Sequence, residues 1–157
     1  MTLGFPLLVD LRDNNCTVFG GNDSALRRVK ELLRFGAKVT VISPAICLEL
    51  EEISNAGLIR HIPRKYFRGD CSNSQLCVAA TEDDSLNIAI STECKNKGIP
   101  VNVTSPCSYG TFTFPRLVVE DEVILSLTGT LSSEEMSRLR NRLTAILPQL
   151  INEIKSE

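Results

Sequence analysis

Two hydrophobic periodicities alternate along the first hundred residues of the chain, and this alternation limits the fold more than any other feature. Short apolar runs, such as residues 16–21 and 37–44, are typical of buried strands. Between them, residues 23–36, 45–57 and 83–98 repeat apolar side chains at helical spacing and stop near glycine. The pattern predicts an α/β fold with a mostly parallel sheet and helices on both faces. Residues 58–63, 75–81 and 99–104 supply the other strands.

The pattern changes after Ser105. Two β-rich runs within residues 108–129 join at the acidic stretch 120–122 and predict a hairpin. Residues 132–157 are helical in pattern, with Ser132 or Ser133 as the cap and Pro148 expected to kink or interrupt the helix. We therefore predict two domains, residues 1–111 and 112–157. A strand pair and one helix have little core of their own, so we expect the second region to pack on another copy of the chain.

Charge and hydropathy exclude several classes of protein. The net charge of −2 argues against a nucleic-acid partner, which normally requires a basic surface. No apolar run reaches the 18 residues that a membrane span needs, and the first residues lack the basic leader of a signal peptide, so we expect a cytoplasmic protein. The six cysteines form no C-x-x-C pair and His61 is the only histidine, so we expect no metal site and reduced, mostly buried thiols.

The carboxyl ends of the predicted strands are the expected ligand-binding edge. The first of them runs into Gly20 and Gly21, which would allow a diphosphate to approach the backbone, and a helix N-terminus follows. The amides of residues 22–25 could bind the phosphates, since Asn22 tolerates the left-handed backbone of a glycine turn. Against this, Asp23 is acidic, and no Asp or Glu stands between Glu31 and Glu49 to hold a ribose. These residues alone fit a phosphate loop or a plain turn.

Five stretches, taken in order, carry a family resemblance: residues 5–44, 78–87, 98–103, 112–118 and 125–143. Together they resemble the N-terminal family of siroheme synthases, the NAD-dependent precorrin-2 dehydrogenases, from Phe5 to about Gln149. The resemblance implies a Rossmann-like domain followed by a hairpin-plus-helix dimerisation region, and a homodimer. It also implies oxidation of precorrin-2 to sirohydrochlorin with NAD+, without nucleic-acid or membrane partners.

The resemblance also assigns site residues. Those expected to bind NAD are Gly20, Gly21, Asn22, Asp23, Ser24, Ala25, Ser43, Pro44, Ala45, Ala80, Thr81, Asn102 and Val103. Ser105 stands where many family members have an aspartate proposed as general base, and it is the candidate catalytic residue. Arginine binds carboxylates in bidentate fashion, which suits a tetrapyrrole with eight of them. The candidates for substrate binding are Arg116, Thr128, Gly129 and Arg138, with Arg140 and Arg142 nearby.

The departures from the family pattern keep other functions open. A serine hydroxyl is not a base at neutral pH, so we expect no efficient metal insertion into the product. A catalytically inactive family member that binds a tetrapyrrole or nucleotide as carrier or regulator is the main alternative, and a nucleotide-sensing regulatory domain is another. Ser43 at the end of the second strand neither requires nor excludes NADP.

Overall fold

A computed structural model describes residues 4–156, which form two compact units. The larger unit, Leu7–Thr113, is built on a five-stranded parallel sheet with the strand order β3-β2-β1-β4-β5. Its strands are β1 (Asn15–Phe19), β2 (Lys38–Ile42), β3 (Ile59–Ile62), β4 (Leu76–Ala79) and β5 (Val101–Val103). Three helices connect them: α1 (Asp23–Arg34), α2 (Leu48–Asn55) and α3 (Asp84–Asn96).

The connections determine on which face each helix lies. The chain moves from β1 outward to β2 and β3, then returns to add β4 and β5 on the other side of β1. Because parallel crossovers are right-handed, the helices α1 and α2 cover one face and α3 covers the other. The predicted α/β class, with a parallel sheet and helices on both faces, is therefore confirmed.

Alternate residues of each strand point to opposite faces of the sheet, and the core has a layer on each face. On the α3 face, Phe19, Ala79 and Val103 are buried together with Ile90 of α3. Val18, Val41 and Val78 have no exposed surface either, and nor do Ala25 and Val29 of α1. Both sheet faces are thus sealed by apolar side chains, which is why the central strands read as continuous apolar runs.

The smaller unit comprises residues 114–156 together with residues 4–6. Its strands β6 (Arg116–Glu120) and β7 (Val123–Leu127) form the predicted antiparallel hairpin, closed where Glu120 pairs with Val123. The helix α4 (Ser133–Ser156) packs Leu147 and Ile151 against Val118 of the hairpin. The helix continues on both sides of Pro148, so of the two effects expected there, a kink or an interruption, the proline does not interrupt the helix.

Side chains cap the N-termini of α3 and α4. Asp83 caps α3 by accepting hydrogen bonds from the amides of Ser85 (2.9 Å) and Leu86 (3.1 Å). Ser132 precedes α4 and exchanges hydrogen bonds with Glu135, which is the reciprocal pattern of a capping box. The helix α2 begins only at Leu48, three residues later than its apolar pattern suggests. No helix within residues 4–156 has the length and apolarity that crossing a bilayer requires.

Candidate active site at the carboxyl edge of the sheet

The parallel sheet brings the predicted cofactor residues to one edge. Because all five strands run the same way, the residues after β1, β2, β4 and β5 lie at the same end of the sheet. The order of connection reverses between β1 and β4, and ligands of open α/β sheets bind in the crevice outside such a reversal. The turn at Gly20–Gly21 and the segment Ala80–Thr81 follow these two neighbouring strands.

Gly20 and Gly21 occupy positions where no side chain fits. Gly20 has a φ of +114°, and a Cβ there would lie 2.3 Å from the carbonyl oxygen of Ala80. A Cβ on Gly21 would lie 2.1 Å from the carbonyl oxygen of Ala45 and 2.7 Å from the Cα of Ile46. The obstructing atoms are backbone, which cannot move aside as a side chain could. The two glycines therefore hold the ends of β1, β2 and β4 in close contact around the turn.

Asn22 begins the helix instead of adopting a left-handed bend. Its φ of −87° is ordinary, and its side chain accepts a hydrogen bond from the Ala25 amide (3.0 Å). Asp23 is exposed in the first turn of α1, where a negative charge favours the helix dipole. The Ala25 amide is thus already engaged, and the remaining amides at this N-terminus are those available to an anion.

The end of β2 presents a hydroxyl in place of the acid of a typical NAD site. Ser43 is buried, and its hydroxyl donates to the carbonyl oxygen of Ala45 (2.6 Å). His61 on β3 lies 2.9 Å from the Ser43 carbonyl oxygen through Nε2, which fixes this strand end from the other side. The hydroxyl hydrogen of Ser43 is therefore already used in this hydrogen bond, so the hydroxyl oxygen can only accept a further one.

Asn87 joins the ends of β4 and β5, a role that the sequence alone did not predict. Its side chain has no exposed surface and accepts hydrogen bonds from the amide (3.1 Å) and hydroxyl (2.8 Å) of Thr81. Its Nδ2 donates to the carbonyl oxygens of Thr81 (3.0 Å) and Ser105 (2.9 Å). The sign of this role in the sequence is the asparagine itself, because asparagine is a poor helix former and here lies one turn inside an amphipathic helix.

The residues at the end of β5 differ in exposure. Ser105 is exposed, whereas Val103 packs in the core on the α3 face. Asn102 is 5% exposed and donates through Nδ2 to the Phe112 carbonyl oxygen (3.1 Å). Its Oδ1 is the one buried side-chain oxygen or nitrogen without a hydrogen-bond partner among residues 4–156. An acceptor left unpaired in this way costs about 1–3 kcal/mol, so a donor from a bound ligand would stabilise it.

The predicted substrate residues belong to the smaller unit. Arg116 donates to the side chains of Ser137 (3.0 Å) and Ser133 (2.7 Å) and so ties the hairpin to the first turn of α4. Arg138 is exposed and pairs loosely with Glu134 (3.6 Å). Thr128 and Gly129 are exposed at the end of β7.

Comparisons with known proteins agree with this geometry. A family model described as "Putative NAD(P)-binding" matches residues 7–116. The siroheme synthase of Thioalkalivibrio sulfidiphilus is 35% identical over 145 residues, and that of Nitrosospira multiformis is 34% identical over 148 residues. These alignments cover 92% and 91% of this chain but 30% and 31% of the synthases, so the chain spans about a third of their length.

A solved structure shows the same architecture. The precorrin-2 dehydrogenase SirC superimposes with a TM-score of 0.77 and 26% sequence identity, covering 90% of this chain and 70% of SirC. The matched region of the family model contains all four strand ends of the candidate site. The chain therefore belongs to the NAD(P)-binding family that the model describes.

Proposed function

We propose that the chain is an NAD+-dependent dehydrogenase that oxidises precorrin-2 to sirohydrochlorin, acting as a homodimer in the cytoplasm. Its similarity to SirC and to the siroheme synthases supports the substrate class. The single structural observation that carries the proposal is the turn after β1. There, two glycines that exclude any side chain precede a helix N-terminus at the reversal of strand order.

The turn fits the diphosphate of a dinucleotide. Gly20 and Gly21 leave open backbone, and the first turn of α1 supplies free amides and the positive end of the helix dipole. The carboxylate of Asp23 is exposed, and Asn22 is uncharged, so the cap introduces no anion. The turn keeps the essential chemistry of a phosphate loop although Asn22 stands where family members usually have a third glycine.

The end of β2 favours NAD+ over NADP+. The Ser43 hydroxyl already donates to Ala45, so it can accept a hydrogen bond from a ribose hydroxyl. A 2′-phosphate has no proton to offer at neutral pH, and its oxygens would face the lone pairs of Ser43. We therefore propose that Ser43 accepts from the ribose and that Asn102, through its unpaired Oδ1, accepts from a donor of the cofactor or substrate.

The reaction removes one hydride and one proton from the reduced tetrapyrrole. When bound, NAD+ supplies the hydride acceptor at its nicotinamide ring. The exposed hydroxyl of Ser105 orients the substrate by hydrogen bonding, and the proton leaves to water or to a substrate carboxylate. Positioning of the two reactants by Asn87, Thr81 and the glycine turn then carries most of the rate.

The substrate residues and the homodimer complete the proposal. We propose that Arg116, Thr128, Gly129 and Arg138 contact the carboxylates and ring of the substrate. A stripe of exposed apolar side chains on α4 supports self-association: Leu139, Ile146, Leu150 and Ile154. It lies beside the face that packs on the hairpin, so the helix has a second apolar face to bury.

Anaerobic turnover of precorrin-2 tests the proposal, with NADH formation followed by absorbance and NAD+ compared with NADP+. We expect turnover with NAD+, a much higher kcat/KM for NAD+ than for NADP+, and retained activity in Ser105→Ala. NAD+ binding without any turnover would contradict the dehydrogenase. Binding without turnover would mean that the chain lacks a group able to take the proton, since Ser105 is not a base. It would favour a carrier or regulator that binds a tetrapyrrole.

A further inference from the structure

Three cysteines meet in the core of the larger unit, away from the cofactor edge. The Sγ atoms of Cys71, Cys77 and Cys94 all lie within 4.8 Å of one another, and none of the three residues has exposed surface. They come from the connection between β3 and β4, from β4 and from α3. Cys77 precedes Ala80 by three residues, which places it about 10 Å along the strand from the carboxyl edge. The proposed dehydrogenase does not use this cluster.

The spacing of the sulfurs suits one ion better than a disulfide. Three sulfurs bound to a single ion at about 2.3 Å are about 4 Å apart, so contraction of less than about an ångström would bring them into place. A disulfide requires a sulfur separation of about 2.05 Å and would leave the third thiol unpaired. Thiolates are soft ligands that select thiophilic ions such as Cu(I) and Zn²⁺.

The number of ligands distinguishes between these ions. Among residues 4–156, the cluster contains three ligand atoms and no fourth His, Asp, Glu or Cys. Structural Zn²⁺ sites take four ligands, and a water cannot easily supply the fourth here, because Phe19, Ile90 and Val101 pack around the thiols. Cu(I) is stable with three sulfur ligands and needs no water.

We propose that Cys71, Cys77 and Cys94 bind one Cu(I) ion in a closed three-sulfur site. The connection 63–75 provides the path of entry, since Cys71 is the only ligand outside a helix or strand. This connection is held by several contacts, among them the internal Arg64–Asp70 ion pair (2.7 Å) and the hydrogen bonds that Glu93 accepts from the Gly69 amide (2.9 Å) and the Tyr66 hydroxyl. Opening of this connection exposes the thiols without unfolding the sheet.

Copper titration of the full chain tests the site. The reduced protein is titrated anaerobically with Cu(I) against a coloured Cu(I) chelator, and X-ray absorption then identifies the bound atoms. We expect one tightly bound copper per chain with three sulfur neighbours, and loss of this copper in Cys71→Ser and Cys94→Ser. Cys16→Ser is the matched control, because Cys16 is equally buried but lies outside the cluster. Circular dichroism establishes that each variant is folded.

Several results would contradict the proposed Cu(I) site. Failure to compete with the chelator would do so, as would copper that persists in the folded Cys71 and Cys94 variants. Copper lost in Cys47→Ser or Cys107→Ser would place the ion on the more exposed thiols instead. A parallel titration with Zn²⁺ that gives tighter binding than Cu(I), or nitrogen or oxygen neighbours in the absorption spectrum, would contradict the three-sulfur Cu(I) assignment.

Discussion

At the scale of single residues, the backbone around the turn after β1 decides which side chains are tolerated. For Gly21→Ala, the new Cβ would meet the Ala45 carbonyl oxygen at 2.1 Å, and neither backbone can give way locally. We expect the free energy of unfolding to fall by about 1–3 kcal/mol, as for other overpacked sites, and the affinity for NAD+ to fall with it. Urea unfolding and calorimetric NAD+ titration measure the two effects.

Gly57→Ala is the control for Gly21→Ala. Gly57 has a φ of +74° but no atom within 4 Å of its Cβ position, so the substitution adds backbone strain without a clash. It should destabilise the protein by about 1–2 kcal/mol and leave NAD+ binding unchanged. Wild-type NAD+ affinity in folded Gly21→Ala would contradict our assignment of the turn.

Two substitutions of Asn22 distinguish its structural role as a helix cap from the electrostatic role of the turn in binding the diphosphate. Asn22→Ala removes the cap on the Ala25 amide (3.0 Å) and should cost about 1 kcal/mol of stability. Asn22→Asp keeps the cap, so stability should be retained, but its carboxylate would face the diphosphate. We expect NAD+ affinity to fall about tenfold, which corresponds to about 1.4 kcal/mol. Equal NAD+ affinity in Asn22→Asp and wild type would place the diphosphate elsewhere.

At the scale of elements, the connection 63–75 depends on ionised carboxylates. Hydrogen bonds from Arg64 (2.7 and 2.9 Å) lower the pKa of Asp70 below its ordinary value, although burial opposes them. A carboxylate with a lowered folded pKa contributes stability above its unfolded pKa of about 4, and this contribution is lost as the pH falls through the folded pKa. The connection should therefore loosen in acid.

We expect Asp70→Asn to weaken the dependence of the free energy of unfolding on pH in the acid range. Both tyrosines, Tyr66 and Tyr109, lie in the larger unit, so tyrosine fluorescence during urea unfolding reports on that unit. Between neutral pH and about pH 3, the free energy of unfolding should fall more steeply in wild type than in Asp70→Asn. Glu52→Gln, at an exposed position on α2, is the control and should follow the wild-type curve. Parallel curves for wild type and Asp70→Asn would refute the linkage.

The elements also show what the sequence can predict. The strands and α1 were predictable because burial on one or both faces enforces an apolar period, and of the two serines expected to cap α4, Ser132 does so. Asn87 and the three cysteines were not, because their partners are distant in the chain. The crossover from β4 to β5 brings Cys94 to Cys71 and Cys77, and a search for closely spaced ligand pairs cannot detect such a cluster.

At the scale of the whole molecule, the two faces of α4 determine how much apolar surface one chain can bury. Leu147 and Ile151 are covered by the hairpin, whereas Leu150 and Ile154 remain 45% and 70% exposed. One sheet of two strands cannot cover both faces of a helix of 24 residues. The sequence predicted this shortage of core, and a second copy of the chain is the simplest cover.

Leu150→Lys should therefore convert a dimer into a monomer, because it places two like charges in the proposed interface and removes burial of about 1.5–3 kcal/mol for each side chain. Asn152→Lys adds the same charge to an exposed position on the opposite side of α4 and should remain dimeric. Sedimentation equilibrium measures both masses at micromolar concentration. A wild-type monomer, or dissociation caused equally by both substitutions, would show that this stripe is not the dimer interface and that the exposed face of α4 serves another contact.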